Sequence, residues 1–333
     1  MKTAATNAAN ERSPVKRLEF HMSYVCNQDC VFCSESVRMR QYQKRPLSYK
    51  EMVETITRKR REGCEHITFV GGEPTVHPDF LKLLAASKKL GYATLLITNG
   101  AKLSEPRFAA ESLPLLDEIV LSVHGSNSKV HDDLAQSPGS FEKLWKALGL
   151  IEKAKKRPFV LTNTVVTQKN INDLVKTINV LAEHPVVRHC LVSNLAPDGD
   201  ALLHYDEQVV RISELGRLAP QLVEIARSRG KIIRFFGMPL CSLGEAWEAS
   251  NDLYWDSRTN VERATSHGQV TLEDTWNYTP KRMRFFPDLC APCPAREKKC
   301  WGVFRIYHKH FGESELMTFE TLGSQESPPC PSR

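Results

Sequence analysis

Short apolar runs alternate with longer amphipathic stretches through the first two thirds of the 333-residue chain. Six of the runs are rich in β-branched and aromatic residues, which is typical of buried strands. These runs lie at residues 18–24, 66–70, 93–98, 118–123, 159–167 and 189–194. The stretches between them repeat apolar positions three and four residues apart, which predicts helices. Strands and helices that alternate in this way form a parallel sheet.

Local signals define the ends of some helices. The stretch SYKEMVETITRKRREG begins with Ser48, a suitable N-cap, and ends at Gly63. The last helical stretch of the alternating region, DEQVVRISELGRLAPQLVEIARSRG, contains Pro220. Because proline removes a backbone donor and crowds the preceding turn, we expect a kink there.

The alternation predicts an α/β fold, a partial (β/α)6 barrel over residues 17–235, because six units are too few for an eight-stranded barrel. Residues 236–317 lose the alternation and predict a small cysteine-rich α+β module. It contains a strand, a hairpin turning at His267-Gly268, and a helix from about Trp301. The polar stretches 1–16 and 318–333 predict disordered tails.

Composition narrows the class of protein. With 41% hydrophobic and 25% charged residues, the chain is typical of globular proteins. The net charge of +6 is spread along the chain, which makes nucleic acid an unlikely main partner. No run approaches the roughly 18 apolar residues of a membrane span, and the N-terminus has no apolar signal core. We therefore expect a cytoplasmic protein with no membrane contact.

The ten cysteines are clustered, which favours metal ligation over disulfides. Cys26, Cys30 and Cys33 follow the first strand, at the edge of the sheet where parallel α/β proteins hold their sites. Three thiolates without a nearby fourth suit an iron–sulfur cluster with one open iron. A zinc site completed by a histidine such as His21 is the alternative.

The first cysteine group resembles the signature of the radical S-adenosylmethionine (radical SAM) superfamily. The spacing is Cys26-x3-Cys30-x2-Cys33 with Phe32 before the last cysteine, and GGEPT follows the second strand at residues 71–75. The resemblance implies a partial barrel in which the three cysteines hold a [4Fe–4S] cluster. It also implies that S-adenosylmethionine binds the open iron and is cleaved to a 5′-deoxyadenosyl radical, which abstracts a hydrogen from the substrate.

The same resemblance implies which other residues contact S-adenosylmethionine. They are Phe32, Gly71, Gly72, Glu73, Asn99, Ser122 and Asn163. The superfamily often shows Ser-x-Asp after strand four, whereas this chain has His124 in place of the acid. Some of these residues also have structural interpretations, because Asn-Gly is a common turn and Ser122 and Asn163 stand at strand ends.

The second cysteine group resembles the auxiliary-cluster modules called SPASM or twitch domains. Cys290, Cys293 and Cys300, with Cys241 as the fourth ligand, would hold one auxiliary [4Fe–4S] cluster. A small zinc site is the alternative. The basic residues around this group indicate either a solvated face or a docking face for an acidic reductant. They are Lys281, Arg282, Arg284, Arg296, Lys298 and Lys299.

Three cysteines remain outside both groups. Cys64 and Cys190 are typical of packing residues, and Cys330 lies in the C-terminal tail. If Cys190 faces the barrel interior instead, its thiol could deliver a hydrogen atom.

The leading hypothesis is a radical SAM enzyme that oxidatively modifies a peptide or small natural product. Its partners would be that substrate and an electron donor such as flavodoxin or ferredoxin. The alternatives are a radical SAM enzyme acting on a sugar or nucleotide, and a non-enzymatic iron–sulfur or zinc-binding scaffold. No catalytic side chain beyond the cofactor contacts is identified by the sequence.

Overall fold

A computed structural model describes residues 15–318, and its main element is a nine-stranded sheet. The strands of this sheet are β1 (Arg17–Ser23), β2 (His66–Gly71), β3 (Ala93–Thr98), β4 (Glu118–Ser122), β5 (Phe159–Val165), β6 (Val187–Ser193), β7 (Ile232–Phe236), β8 (Arg258–Ser266) and β9 (Gln269–Asn277). Strands β1 to β7 stand side by side in chain order, each parallel to the next. The predicted partial barrel is confirmed, with a seventh parallel strand.

Eleven helices are described. They are α1 (Ser36–Tyr42), α2 (Tyr49–Arg61), α3 (Phe80–Lys89), α4 (Pro106–Ser112), α5 (Ser128–Ala135), α6 (Ser140–Lys153), α7 (Leu174–Glu183), α8 (Asp200–Leu203), α9 (Tyr205–Gln208), α10 (Ile212–Ser228) and α11 (Arg305–Phe311). Ser48 caps α2 as predicted and forms a reciprocal capping box with Glu51. Pro220 lies inside α10, which runs past it without ending.

The hydrophobic core lies between the sheet and its helices. Along β1, Leu18, Phe20 and Met22 are fully buried in this core, so the side chains between them point to the opposite, inner face of the barrel. The inner face is more polar and more open. At its upper rim, the C-terminal ends of the strands, lie the loops that carry the two predicted motifs.

The hairpin β8–β9 turns at His267 and Gly268, as the sequence predicts. Its first strand pairs in parallel with β1 over four residues, from Arg17 opposite Arg258 to Phe20 opposite Val261. The hairpin assigned to the second module therefore continues the main sheet. The division of the chain at residue 235 stays a prediction.

The remaining described residues pack beside β7 and α10. A two-residue ladder joins β10 (Arg284–Phe285) to β11 (Val303–Phe304), and α11 follows directly. The helix expected from Trp301 begins four residues later, because residues 303–304 pair as a strand first. Within residues 15–318, no helix is long and apolar enough to cross a membrane.

Candidate cofactor site at the barrel rim

The loop that carries Cys26, Cys30 and Cys33 is held by backbone hydrogen bonds from two sides. The Asp29 and Val31 amides donate to the last carbonyls of α5, those of Ala135 at 3.2 Å and Leu134 at 3.0 Å. On the other side, the Cys33 carbonyl accepts from the Asp200 amide at 2.9 Å. The loop is therefore fixed by parts of the chain more than a hundred residues away.

Gly71 and Gly72 allow the end of β2 to lie against the end of β1. A Cβ atom on Gly71 would stand 2.3 Å from the Ser23 carbonyl oxygen, and one on Gly72 would stand 2.5 Å from that of Val25. Both distances are shorter than side chains tolerate. The Gly72 amide donates to Ser23 at 2.7 Å and the Glu73 amide donates to Val25 at 2.9 Å. The glycines thus bring the Gly-Gly-Glu turn into direct contact with the start of the thiol loop.

Glu73 is a buried acceptor that ties this turn to β3. Its Oε1 accepts from the Thr75 amide at 3.1 Å and from the hydroxyls of Thr75 at 2.6 Å and Thr98 at 2.8 Å. Its Oε2 accepts from the Asn99 amide at 2.8 Å. Burial raises the pKa of Glu73, whereas these donors lower it. Since a carboxylate has about four acceptor positions, little capacity is left for a ligand.

Asn99 extends this network to the thiol loop. Its Nδ2 donates to Asn27 Oδ1 at 2.8 Å and lies 3.9 Å from Cys26 Sγ, while its Oδ1 accepts from the Ala101 amide at 3.0 Å. The side chain therefore bridges the strand-three turn and the cysteine loop. The sequence analysis does not identify Asn27 as a site residue, because its role depends on the contact with Asn99, which is distant in the chain.

Phe32 lies on a buried pair of histidines. Its ring meets His124 edge-on at 4.6 Å, and His124 stacks on His131 at 5.8 Å. Burial lowers the pKa of His124 well below its usual value and lowers that of His131 to about 4, so both rings are neutral at neutral pH. The histidine that replaces the expected acid is thus part of the support of Phe32.

Ser122 and Asn163 stand in one hydrogen-bonded row across the inner face. Ser122 is opposite Asn163, Asn163 is opposite Leu191, and Leu191 is opposite Arg234. The Asn163 Oδ1 accepts from the Ser193 hydroxyl at 2.7 Å. Residues opposite each other in a parallel sheet share a face, so this row points into the barrel below the thiol loop.

The turn at Gly199 and Asp200 contacts the backbone of Cys33, which the sequence does not predict. Gly199 has a φ of +57°, and a Cβ there would lie 2.3 Å from the Cys33 carbonyl oxygen. The next residue, Asp200, makes the 2.9 Å hydrogen bond to that oxygen. The Pro-Asp-Gly sequence before Asp200 indicates a turn, but nothing local indicates what the turn contacts.

The second cysteine group lines one pocket. Cys241, Cys290, Cys293 and Cys300 all contribute to its wall, together with apolar residues such as Phe286 and Val303. Burial raises the pKa of Cys241 and Cys300 and raises that of Cys290 to about 11. The four predicted ligands therefore lie together, although Cys241 comes from a distant part of the chain.

Each of the two sets of cysteines offers several sulfur donors, which suits an iron–sulfur cluster. Burial raises the pKa of all three front thiols, to about 11 for Cys33, and the neighbouring sulfurs raise that of Cys30 further, so a metal that binds them must displace their protons. Thiolates are the ligands that iron–sulfur clusters prefer. Within residues 15–318, no three His, Cys, Asp or Glu side chains converge closely enough to hold a single metal ion.

Cys190 is a packing residue, as the sequence favours. It is fully buried in the core between sheet and helices, because β6 turns its alternate residues, His189 and Leu191, to the barrel interior. The alternative in which its thiol faces the barrel interior is therefore wrong, and so is the expectation for Arg284. Arg284 is not part of a basic surface. It is fully buried and paired with Asp252, with Nη1 2.5 Å from Oδ2.

Comparison with known proteins agrees with this architecture. Residues 20–181 match the sequence model of the radical SAM superfamily. The structure of SuiB from Streptococcus suis bound to its precursor peptide SuiA is similar, with a TM-score of 0.57 and 19% identity over 74% of this chain and 57% of SuiB. SuiB bound to S-adenosylmethionine also gives 0.57 and 19%, over 74% of this chain and 58% of SuiB. The chain thus spans less than two thirds of SuiB.

The fold and the rim site define a partial α/β barrel of the kind that carries a cofactor at the C-terminal ends of its strands. Residues 20–181 match the radical SAM family model, so this part of the chain is a radical SAM domain. The resemblance of the first cysteine group to the radical SAM superfamily is confirmed for residues 20–181. A radical SAM domain implies a [4Fe–4S] cluster and S-adenosylmethionine as cofactors.

Proposed function

We propose that the chain is a radical SAM enzyme and that Cys26, Cys30 and Cys33 hold its [4Fe–4S] cluster. The observation that carries the proposal is the placement of three thiols on one loop at the barrel rim, in direct backbone contact with the Gly-Gly-Glu turn. A cluster held there would supply the electron for reductive cleavage of S-adenosylmethionine, and hydrogen abstraction from the substrate would follow from that cleavage.

The residues around the loop then have distinct roles. Gly71 and Gly72 leave space for backbone contact, and Glu73 positions Asn99 through the hydrogen bond to its amide. Phe32 would flank the adenine with His124 behind it. Ser122 and Asn163 would meet the cofactor from the row below the loop.

We further propose that Cys241, Cys290, Cys293 and Cys300 hold one auxiliary [4Fe–4S] cluster, in a module similar to SPASM or twitch domains. Support comes from their position around one pocket whose other lining residues offer no carboxylate or imidazole. An auxiliary cluster can accept the electron released when a substrate radical forms a new bond. This supports an oxidative reaction.

The proposed substrate is a peptide or small natural product, and the reductant is a protein such as flavodoxin or ferredoxin in the cytoplasm. The peptide assignment is supported by the likeness to SuiB, whose structure contains a bound precursor peptide. Lys281, Arg282, Arg296 and Lys299 are exposed, as a docking face for an acidic reductant requires, and Arg296 lines the auxiliary pocket.

Iron and sulfide content after anaerobic reconstitution tests both cluster assignments. We expect about eight irons in the wild type, and about four after Cys26, Cys30 and Cys33 are all changed to Ala. Cys64→Ala, a buried thiol outside both groups, is the matched control and keeps the full content. About four irons in the wild type, with zinc in the second pocket, would refute the auxiliary cluster. A triple variant that still forms 5′-deoxyadenosine from S-adenosylmethionine would refute the first site.

A further inference from the structure

Arg234 is a charged residue that points into the barrel. On β7 its neighbours Ile233 and Phe235 are buried in the core, so Arg234 lies on the inner face. Its register places it opposite Leu191, in the same row as Ser122 and Asn163. The guanidinium therefore lies at the level of the residues proposed to meet S-adenosylmethionine, on the last strand of that row.

This guanidinium has no acidic partner within residues 15–318. Its plane lies over the ring of Tyr254, with Cζ 4.1 Å from the centroid, and Nη1 donates to the Ile233 carbonyl at 3.1 Å. No carboxylate of the described chain comes within ion-pair distance of it. Since a guanidinium has five N–H donors, most of its donors are available.

Arg258 differs from Arg234, because it lies over an aromatic ring in the same way but also has an acidic partner. It lies over the ring of Trp255, the residue after Tyr254, at 3.9 Å. Its Nη1 also meets Glu19 Oε1 at 2.6 Å. The segment between β7 and β8 thus presents two consecutive aromatic rings to two arginines, one neutralised and one not.

The remaining neighbour of Arg234 is neutral. His189 lies on the inner face of β6, and burial together with the charge of Arg234 lowers its pKa to about 4. Its Nε2 is buried and has no hydrogen-bond partner among the described residues. The free donors of Arg234 can form a bidentate, charge-assisted contact with an anion that enters the barrel, and one guanidinium neutralises the single charge of a carboxylate.

We propose that Arg234, oriented by Tyr254, binds a carboxylate of the substrate inside the barrel. The proposal deepens the proposed function, since it rests on a substrate occupying the barrel interior. A carboxylate also occurs in the methionine part of S-adenosylmethionine. Because Ser122 and Asn163 share the row of Arg234, the experiment must separate the two sources.

Residue-specific arginine labelling distinguishes a substrate carboxylate from the carboxylate of S-adenosylmethionine. The full-length reconstituted protein is treated anaerobically with phenylglyoxal, and the modification rates at Arg234 and Arg258 are followed by peptide mass spectrometry. The probes are N-acetylglycine, its neutral analogue N-acetylglycinamide, and S-adenosylmethionine. We expect saturating N-acetylglycine to slow the labelling of Arg234 by about tenfold or more, as for a charge-assisted bidentate contact. The amide and S-adenosylmethionine leave the rate unchanged.

Arg258 is the internal control, because its ion pair with Glu19 is already made. Equal protection by the amide, or no protection by N-acetylglycine, would overturn the carboxylate site. Protection by S-adenosylmethionine alone would assign the carboxylate to the cofactor and overturn the substrate role. The labelling requires no turnover. Failure of the protein to cleave S-adenosylmethionine would contradict the proposed function, whereas the labelling rates would still show whether Arg234 binds a carboxylate.

Discussion

The buried ion pair between Asp252 and Arg284 allows a quantitative test of the packing beside the second pocket. The Arg284 side chain is 0% exposed and that of Asp252 is 1% exposed, with contacts of 2.5 and 3.2 Å between their nitrogens and oxygens. Arg284 also donates to the Pro280 carbonyl and lies between the rings of Phe236 and Phe304. The pair joins the turn before β8 to the β10–β11 ladder.

Asp252→Leu should lower the free energy of unfolding by about 3–5 kcal/mol, because it leaves a fully buried charge unpaired. That is a large part of the roughly 5–15 kcal/mol that holds a typical domain together. In the double variant Asp252→Leu/Arg284→Met, both charges are gone and most of the loss should return. Equilibrium urea unfolding of the full-length chain under anaerobic conditions measures each difference.

The exposed pair Arg227–Glu224, whose side chains are 74% and 58% exposed, is the matched control. Arg227→Met should change the free energy of unfolding by less than about 1 kcal/mol. The reasoning is refuted if Asp252→Leu costs no more than this control, or if the double variant is no more stable than the single one.

Three further changes test the rim, the second pocket and the buried histidines. Gly72→Ala places a Cβ 2.5 Å from the Val25 carbonyl oxygen and should lower the rate of 5′-deoxyadenosine formation by about tenfold or more. Gly149→Ala, whose Cβ would have no atom within 4 Å, is the control and should leave this rate unchanged. Equal rates for the two variants would contradict the role of the close approach. Cys241→Ser should lower iron content by up to about four per chain, and an unchanged content would remove it from the ligand set. Because the pKa of His131 falls to about 4 in the folded protein, the unfolded state binds the extra proton below about pH 6.5, and this group alone should lower the free energy of unfolding by about 2 kcal/mol between pH 7.5 and 5. The buried His124 and His189, whose pKa values are also lowered, add to the loss. His131→Leu should therefore remove its own share of the slope in pH-dependent urea unfolding, and an unaltered slope would contradict the assignment.

The sequence predicts the features that depend on local patterns. Alternating apolar residues locate the first six strands, Ser48 locates the start of a helix, and His267-Gly268 locates the hairpin turn. The thiol loop and the Gly-Gly-Glu turn were expected at one edge because both follow parallel strands. The structure adds the reason for the glycines, which is the close approach of Ser23 and Val25.

What the sequence does not predict depends on contacts between distant residues. The partner of β8 is β1, more than two hundred residues earlier, and no local signal selects it. Arg284 was interpreted as a surface cation because its partner Asp252 lies 32 residues away. Cys190 required the register of β6 to show which face it occupies. The lack of an acidic partner of Arg234 within residues 15–318 likewise depends on tertiary contacts that no local sequence pattern indicates.

The pairing of β8 with β1 has a consequence for any shortened form of the chain. A fragment ending near residue 235 would contain every residue of the matched radical SAM region, but it would turn β1 into an edge strand. The backbone groups of residues 17–20 that now face β8 would be open to another molecule. Such a fragment is therefore expected to self-associate through the very strand that leads into the thiol loop, and cluster loading would suffer although all three thiols are present.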